Sequence, residues 1–123
     1  MPNESLEDAA RREVQEEASI EVLDLEKAGT LEFWFGDSPD VLEVHVFRTK
    51  QFKGTPQESE EMRPQWFLED EIPYDEMRPG DRHWIPTFLK GHVFTGKLWF
   101  DESGKTLVRH VIDIQVPVLL ATQ

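Results

Sequence analysis

Five glutamates lie within the first seventeen residues of this chain, and three have the spacing of one helix face. Glu13, Glu16 and Glu17 recur at i, i+3 and i+4, so on an α-helix they fall within an arc of roughly 100°. Carboxylates this close repel one another, which raises their pKa values or requires a bound cation. Oxygen-only ligands select hard ions, so the spacing indicates Mg²⁺, with Mn²⁺ as an alternative. A solvated acidic face, with Arg12 paired to Glu16, explains the same spacing without a metal.

The segment that carries these glutamates has the start and stop signals of a short helix. Ser5, followed three residues later by Asp8, is an N-cap signal, and we expect the helix to run over residues 6–17 and to end at Ser19. Most other segments read as strands. We expect two hairpins, from strands 31–35 and 42–49 and from strands 94–100 and 106–116, a short strand at 65–68 and a second helix at 82–90. Strand groups separated by helices predict an α+β or mixed α/β fold.

Composition limits the function classes. The chain has 123 residues, which fits one domain, and its eight Phe and four Trp can supply a core. The absence of cysteine excludes disulfides, thiolate zinc sites and cysteine nucleophiles. A net charge of −12 disfavours nucleic acid and anionic membranes, so a phosphate-bearing partner would need an intervening cation. No apolar run approaches the length of a membrane span, and we expect a cytoplasmic monomer with no membrane partner.

The residues around the three glutamates resemble the Nudix box, the loop–helix–loop signature of the Nudix family. In that pattern a glutamate is followed, after seven residues, by an arginine and a run of glutamates. The matching positions are Glu4, Arg12, Glu13, Val14, Glu16, Glu17 and Ile20. The resemblance implies that Glu13, Glu16 and Glu17 hold Mg²⁺ against the pyrophosphate of a nucleoside diphosphate derivative. It also implies that Glu4 and Arg12 form a structural ion pair.

Two positions depart from the box. Ser19 stands where the family has a second glycine, which would supply a left-handed helix end. The leading glycine would precede Met1, so we expect a chain that is incomplete at its N-terminus. The expected architecture is a Nudix-type α/β/α sandwich with a mixed sheet, lacking the N-terminal strands. Residues 1–123 are then expected to form a single Nudix hydrolase domain.

Motifs downstream of the box match, in the same order, the MutT-homologue branch of the Nudix family, the oxidised-purine nucleoside triphosphatases. They are residues 44–47, 54–56, 58–64, 66–67, 72–73 and 84. The resemblance implies hydrolysis of oxidised purine nucleoside triphosphates to the monophosphate and pyrophosphate, which sanitises the cytoplasmic, nuclear or mitochondrial nucleotide pool. The catalytic residues it implies are Glu13, Glu16 and Glu61, the last in a loop where the family has a further acidic group. A solvated loop charge is the alternative for Glu61.

The same branch implies a pocket for the purine base. By position it is lined by Phe33, Met62, Arg78, Asp81 and Trp84. Arg78 stands where the family has a stacking tryptophan, and an arginine plane can also stack on a base. Asp81 matches one of two adjacent family aspartates, and the other is Gly80 here. Core packing is the alternative for Phe33 and Trp84, and a helix N-cap is the alternative for Asp81.

Two functions from different classes are consistent with these patterns. The first is a magnesium-dependent hydrolase whose partner is a small-molecule nucleotide. The second is a catalytically impaired Nudix-like domain that binds a nucleotide or a protein.

Overall fold

The computed structural model describes residues 4–59 and 65–115, and the chain divides into two compact units. The first unit comprises Met1–Lys27 and Phe47–Ile72. The second comprises Ala28–Val46 and Pro73–Gln123. That residues 1–123 form a single domain stays a prediction.

The described residues contain helices and strands in the mixture that the sequence predicts. The α-helices are α1, Leu6–Ala18, and α2, Asp81–Leu89. The strands are β1, Glu21–Val22; β2, Glu26–Phe35; β3, Val41–Arg48; β4, Phe52–Lys53; β5, Val93–Phe100; and β6, Leu107–Gln115. Two single-turn 3₁₀ helices, Glu69–Glu71 and Tyr74–Glu76, precede α2. Within the described part of the chain, no helix is long and apolar enough to cross a membrane.

Among the described residues, the main sheet has four strands in the order β3-β2-β5-β6 and is mixed. Strands β2 and β5 run parallel, with Gly29 opposite Phe94 and Phe35 opposite Phe100, whereas β5 and β6 are antiparallel. The mixed sheet and two helices confirm the predicted fold class. In the first unit, β1 and β4 form a separate antiparallel pair.

The core of the second unit lies on one face of this sheet. Along β5, Phe94, Leu98 and Phe100 are buried at alternate positions, as expected for a strand with one covered face. Gly96 belongs to this series, and a Cβ there would lie 2.7 Å from Leu31 Cδ2, so the close approach of the strands requires glycine. The remaining buried residues of the cluster are Ala28, Leu31 and Phe33.

Most predicted elements are present with small shifts. Helix α1 ends one residue later than expected, and α2 begins and ends one residue earlier, which is within the usual ambiguity of helix ends. The predicted hairpin of residues 94–100 and 106–116 is β5 and β6, and residue 116 lies outside the described residues. The other hairpin is confirmed as neighbouring strands, β2 and β3.

The strand predicted at residues 65–68 is wrong. All four side chains are exposed, and no ladder partner pairs with this segment among the described residues. Trp66 is 72% exposed, and its ring stacks on Phe52 with the ring centroids 5.8 Å apart. The apolar residues of this segment therefore reflect aromatic stacking on a loop rather than a buried strand.

Candidate active site

Helix α1, which carries the three glutamates, is fixed at both ends by local hydrogen bonds. The Ser5 hydroxyl accepts a hydrogen bond from the Asp8 backbone N–H at 3.1 Å, which satisfies one free donor of the first turn. Glu7 and Asp8 place negative charge at the positive end of the helix dipole. At the other end, Ser19 is left-handed with φ 62°, and its N–H donates to the Gln15 carbonyl at 3.0 Å. Serine therefore adopts the conformation for which glycine is favoured.

An ion pair between Glu4 and Arg12 connects the start of this segment to the middle of α1. Arg12 donates from Nε and Nη2 to both carboxylate oxygens of Glu4 at 3.0 to 3.2 Å. The Glu4 side chain is only 14% exposed, which limits solvent screening of the pair. The hydrogen bonds from Arg12 lower the pKa of Glu4, and those to Glu4 and then Glu16 raise the pKa of Arg12. Both groups are therefore held in their charged forms.

The same guanidinium contacts the proposed metal ligands. Its Nη1 donates to both carboxylate oxygens of Glu16 at 3.3 and 3.4 Å, and its Nη2 lies 3.9 Å from Glu13 Oε1. The Glu13 and Glu16 side chains are 58% and 61% exposed, so a ligand from solvent can reach them. Arg12 therefore offsets part of the repulsion among the carboxylates on this helix face.

The donor set on α1 fits a divalent cation by its chemistry, although the carboxylates are not gathered into a site. Glu13, Glu16 and Glu17 supply only oxygen donors, which hard cations prefer. Among residues 4–59 and 65–115, no three His, Cys, Asp or Glu side chains are close enough together to hold a metal ion. The assignment of Glu13, Glu16 and Glu17 as ligands stays a prediction.

Two of the predicted site residues belong to the part of the chain between residues 59 and 65. Glu61, predicted as catalytic, and Met62, predicted to line the base pocket, lie outside the described residues.

The other four predicted base-pocket residues all belong to the second unit. Phe33 is 3% exposed and is part of the core cluster, and the Arg78 guanidinium lies over its ring, 5.4 Å from the centroid. Trp84 packs against Phe94 with ring centroids 5.8 Å apart. Its indole Nε1–H donates to Asp81 Oδ1 at 3.1 Å. Core packing is thus an established role of Phe33, while its contact with a base stays a prediction.

Asp81 has an unusual environment for a residue at the start of a helix. The alternative interpretation, that it caps α2, is wrong, because Gly80 occupies the N-cap position and Asp81 is the first helical residue. Burial raises the pKa of Asp81, while the hydrogen bond from Trp84 and the positive charge of Arg78 act in the opposite direction. A half-buried carboxyl group with a perturbed pKa is a typical component of a ligand site.

Two arrangements were not predicted from the sequence. Asp24 accepts hydrogen bonds from the Thr49 hydroxyl and from the backbone N–H groups of Lys50 and Gln51, which closes the turn between β3 and β4. His83 on α2 stacks on His110 of β6, with ring centroids 3.8 Å apart and planes inclined by 19°. The local signal for Asp24 is an aspartate before a turn, but its partners lie about 25 residues away, so the sequence offers no direct sign of them.

The fold resembles that of a bacterial protein of known structure. A crystal structure of a mutator MutT protein from Bacillus halodurans superimposes with a TM-score of 0.80 over 92% of this chain and 76% of that chain. The two sequences are 22% identical, so this likeness shows the fold alone.

Residues 1–88 match the family model described as the NUDIX domain. The chain therefore belongs to the Nudix family, which confirms the predicted family and the predicted class of enzyme, a pyrophosphohydrolase.

Two characterised relatives are similar over most of the chain. The oxidized purine nucleoside triphosphate hydrolase of Mus musculus is 42% identical over 104 residues, which is 85% of this chain and 67% of the relative. The protein of the same name from Danio rerio is 40% identical over 110 residues, which is 89% of this chain and 70% of the relative.

Proposed function

We propose that this chain hydrolyses oxidised purine nucleoside triphosphates to the monophosphate and pyrophosphate, and that it requires Mg²⁺, with Mn²⁺ as a substitute. The names of the two relatives support the substrate class. Membership of the Nudix family, whose members generally use divalent cations, supports the reaction type. The partner is then a small-molecule nucleotide, and we expect a monomer that acts on the cytoplasmic pool, with nuclear and mitochondrial pools as alternatives.

The arrangement on α1 is the observation that carries this proposal. Glu13, Glu16 and Glu17 lie on one helix face, and Arg12, which contacts Glu16, is also bound to Glu4 through Nε and Nη2. Without a cation, such a face would repel a triphosphate, because both carry negative charge. With a bound cation, the same helix face would attract the triphosphate. The chemistry of the helix therefore matches a substrate that binds together with a divalent cation.

Each group in the proposed site has a specific role. Glu13, Glu16 and Glu17 would hold the cation, which when bound would neutralise phosphate charge and polarise the attacked phosphorus. A carboxylate would accept the proton of the attacking water, and the proposed candidates are Glu13, Glu16 and Glu61. The ion pair between Glu4 and Arg12 would hold the loop before α1 in position.

Four of the five residues proposed to recognise the purine belong to the second unit. Aromatic rings can stack on any base, which is the role proposed for Phe33 and Trp84. Charged groups bind the polar edge of the base. Arg78 and Asp81 supply one donor group and one acceptor group. Met62 completes the proposed set.

Pyrophosphate release in the presence of Mg²⁺ tests the proposal directly. The native chain is compared with Glu16→Gln, which keeps the size of the side chain and removes its charge. Loss of one carboxylate that binds the cation or accepts the proton is expected to lower kcat by roughly 10²- to 10⁴-fold. Glu7→Gln makes the same chemical change in the first turn of α1, away from the glutamate face, and should leave the rate unchanged. Equal rates for the native chain and Glu16→Gln would contradict the proposal.

A second candidate function is a Nudix-like domain that binds a nucleotide or a protein without hydrolysis. It is favoured by one observation, that no cluster ready to hold a metal occurs among the described residues. In that case Mg²⁺ with nucleotide would raise the thermal midpoint of the native chain without releasing pyrophosphate. Release of pyrophosphate at a rate that depends on Glu16 would exclude this candidate.

A further inference from the structure

Strand β6 lies at one edge of the main sheet, and its outer side has no neighbouring strand among residues 4–59 and 65–115. Its inner side pairs with β5, and a register shift near the start of β6 leaves Val108 as an extra residue. Beyond this bulge, residues 109–115 follow a regular ladder opposite residues 93–99. The backbone N–H and C=O groups on the free side of such a strand are a template for pairing with another strand.

This strand lacks most of the devices by which proteins block an exposed sheet edge. Its sequence, LVRHVIDIQ, contains no lysine and no proline, and its bulge lies near one end. Val108, Val111 and Ile114 are 69%, 36% and 47% exposed. These β-branched residues favour strand pairing, and a partner strand would remove part of their apolar surface from water.

The charged side chains of β6 form no ion pair within the described part of the chain. Arg109 lies over the Trp99 ring, 4.6 Å from its centroid, and has no salt bridge there. Asp113 is exposed and has none in the same ranges. The two lie four residues apart on one strand, roughly 13–14 Å, so they cannot pair with each other. At the other edge of the sheet, by contrast, Arg48 of β3 is paired with Glu26.

These charges match a second copy of the same strand in one orientation and one register. In an antiparallel pair with a two-fold axis at Val111, Arg109 of each copy lies opposite Asp113 of the other. Directly opposite residues have Cβ atoms about 4.5–5.5 Å apart, which is within reach of an ion pair. Parallel pairing in register, or an axis at position 109 or 113, would instead place like charges opposite each other.

The charge balance of β6 also favours this edge. The chain has a net charge of −12, so two copies repel each other in general. Strand β6 carries one arginine, one histidine and one aspartate, and therefore has no excess of negative charge. Two copies that meet through β6 thus experience less local repulsion than copies that meet through an acidic surface.

We propose that the free side of β6 is an interaction surface for a second copy of this chain, which pairs with it as an antiparallel strand about Val111. Backbone hydrogen bonds and two ion pairs between Arg109 and Asp113 hold the copies together. Residues 109–115 are fewer than the roughly 20–30 residues a side of a stable interface, so the dimer is weak. The chain is then the expected monomer at the low concentrations of a rate measurement and pairs as the concentration rises. This surface is independent of the proposed hydrolysis.

Sedimentation equilibrium of the full chain, from about 10 µM to about 1 mM, tests the inference. The average mass of the native chain should rise from that of one chain towards that of two. Arg109→Asp and Asp113→Arg each place like charges opposite each other twice and should weaken association about tenfold or more. The double variant exchanges the two charges and should restore association. Lys50→Asp is the matched control, since it makes the same charge change as Arg109→Asp at an exposed position in the turn between β3 and β4.

An equimolar mixture of the two single variants gives the sharpest result. Arg109→Asp leaves aspartate at both positions, and Asp113→Arg leaves arginine at both, so each variant opposes itself and complements the other. The mixture should therefore associate at least as well as the native chain, which a variant that had lost its fold could not do. A native chain that keeps the mass of one chain throughout would overturn the inference. Native-like association of both single variants, or no recovery in the double variant and the mixture, would also overturn it.

Discussion

Replacement of Ser19 by glycine should stabilise the protein, because Ser19 ends α1 in a left-handed conformation. Its φ of 62° and ψ of 32° place its Cβ in a region that costs an L-residue about 1–2 kcal/mol. Glycine removes this strain, but its greater freedom in the unfolded chain costs about 0.5–1 kcal/mol. The backbone hydrogen bond to Gln15 is kept, and the Ser19 hydroxyl has no hydrogen bond among the described residues to lose. The net gain in unfolding free energy is therefore about 0.5–1 kcal/mol.

Urea denaturation followed by tryptophan fluorescence measures this gain. With a slope of roughly 1–3 kcal/mol per molar urea, the midpoint should rise by about 0.2–1 M at unchanged slope. Ser19→Ala is the control, because it removes the hydroxyl and keeps the Cβ, and its midpoint should stay close to that of the native chain. A midpoint of Ser19→Gly at or below the native value would refute the reasoning, since it would show that strain at this helix end is negligible.

Two further predictions concern α2. Gly80→Asp, which restores the second family aspartate, should destabilise the protein by about 2–4 kcal/mol in the same urea assay. Gly80 has φ 105°, and a Cβ there would lie 2.5 Å from Leu98 Cδ2. An unfolding free energy close to the native value would contradict this prediction. Burial, and then the charges of His110 and Arg82, lower the pKa of His83. The unfolded chain therefore binds more protons, and stability should fall as the pH decreases below about 6.5. Replacement of His83 by phenylalanine keeps a ring and should flatten this pH dependence between pH 7 and 5, whereas an unchanged slope would exclude the histidine stack as its source.

Elements with local signals were predictable, and elements that depend on distant partners were not. Helix α1 follows from the Ser5 cap and the helix signals that end at Ser19, both within about fifteen residues. In contrast, β1 and β4 are two residues each, and Glu21 pairs with Lys53 more than thirty residues away. No periodicity can appear in a strand of two residues. The first half of β2 was missed for a related reason, because Gly29 disfavours a strand locally but allows the backbone of β5 to approach closely.

The candidate site shows the same division. The residues of the glutamate face on α1 could be predicted from their spacing alone, because the helical repeat fixes which side chains share a face. The contact of one guanidinium with both Glu4 and Glu16 could not, because it depends on the rotamer of Arg12 and on the path of the chain before α1. The stack of His83 on His110 was also hidden, since the two rings meet only after α2 packs on the sheet.

Arg12 binds Glu4 more strongly than Glu16, and this difference affects how a cation could bind. Its bonds to Glu4 are 3.0 to 3.2 Å long and lie beside a carboxylate that is 14% exposed, whereas those to Glu16 are 3.3 and 3.4 Å long beside one that is 61% exposed. Shorter, less solvated charge-assisted bonds are stronger, and exposed pairs contribute little. A divalent cation that bound Glu16, as proposed, would therefore compete with the weaker of these two contacts, and the bonds from Arg12 to Glu4 would remain. Lysine at position 12 would keep the charge but could not form both contacts with a planar fork, so the loop before α1 would lose its attachment.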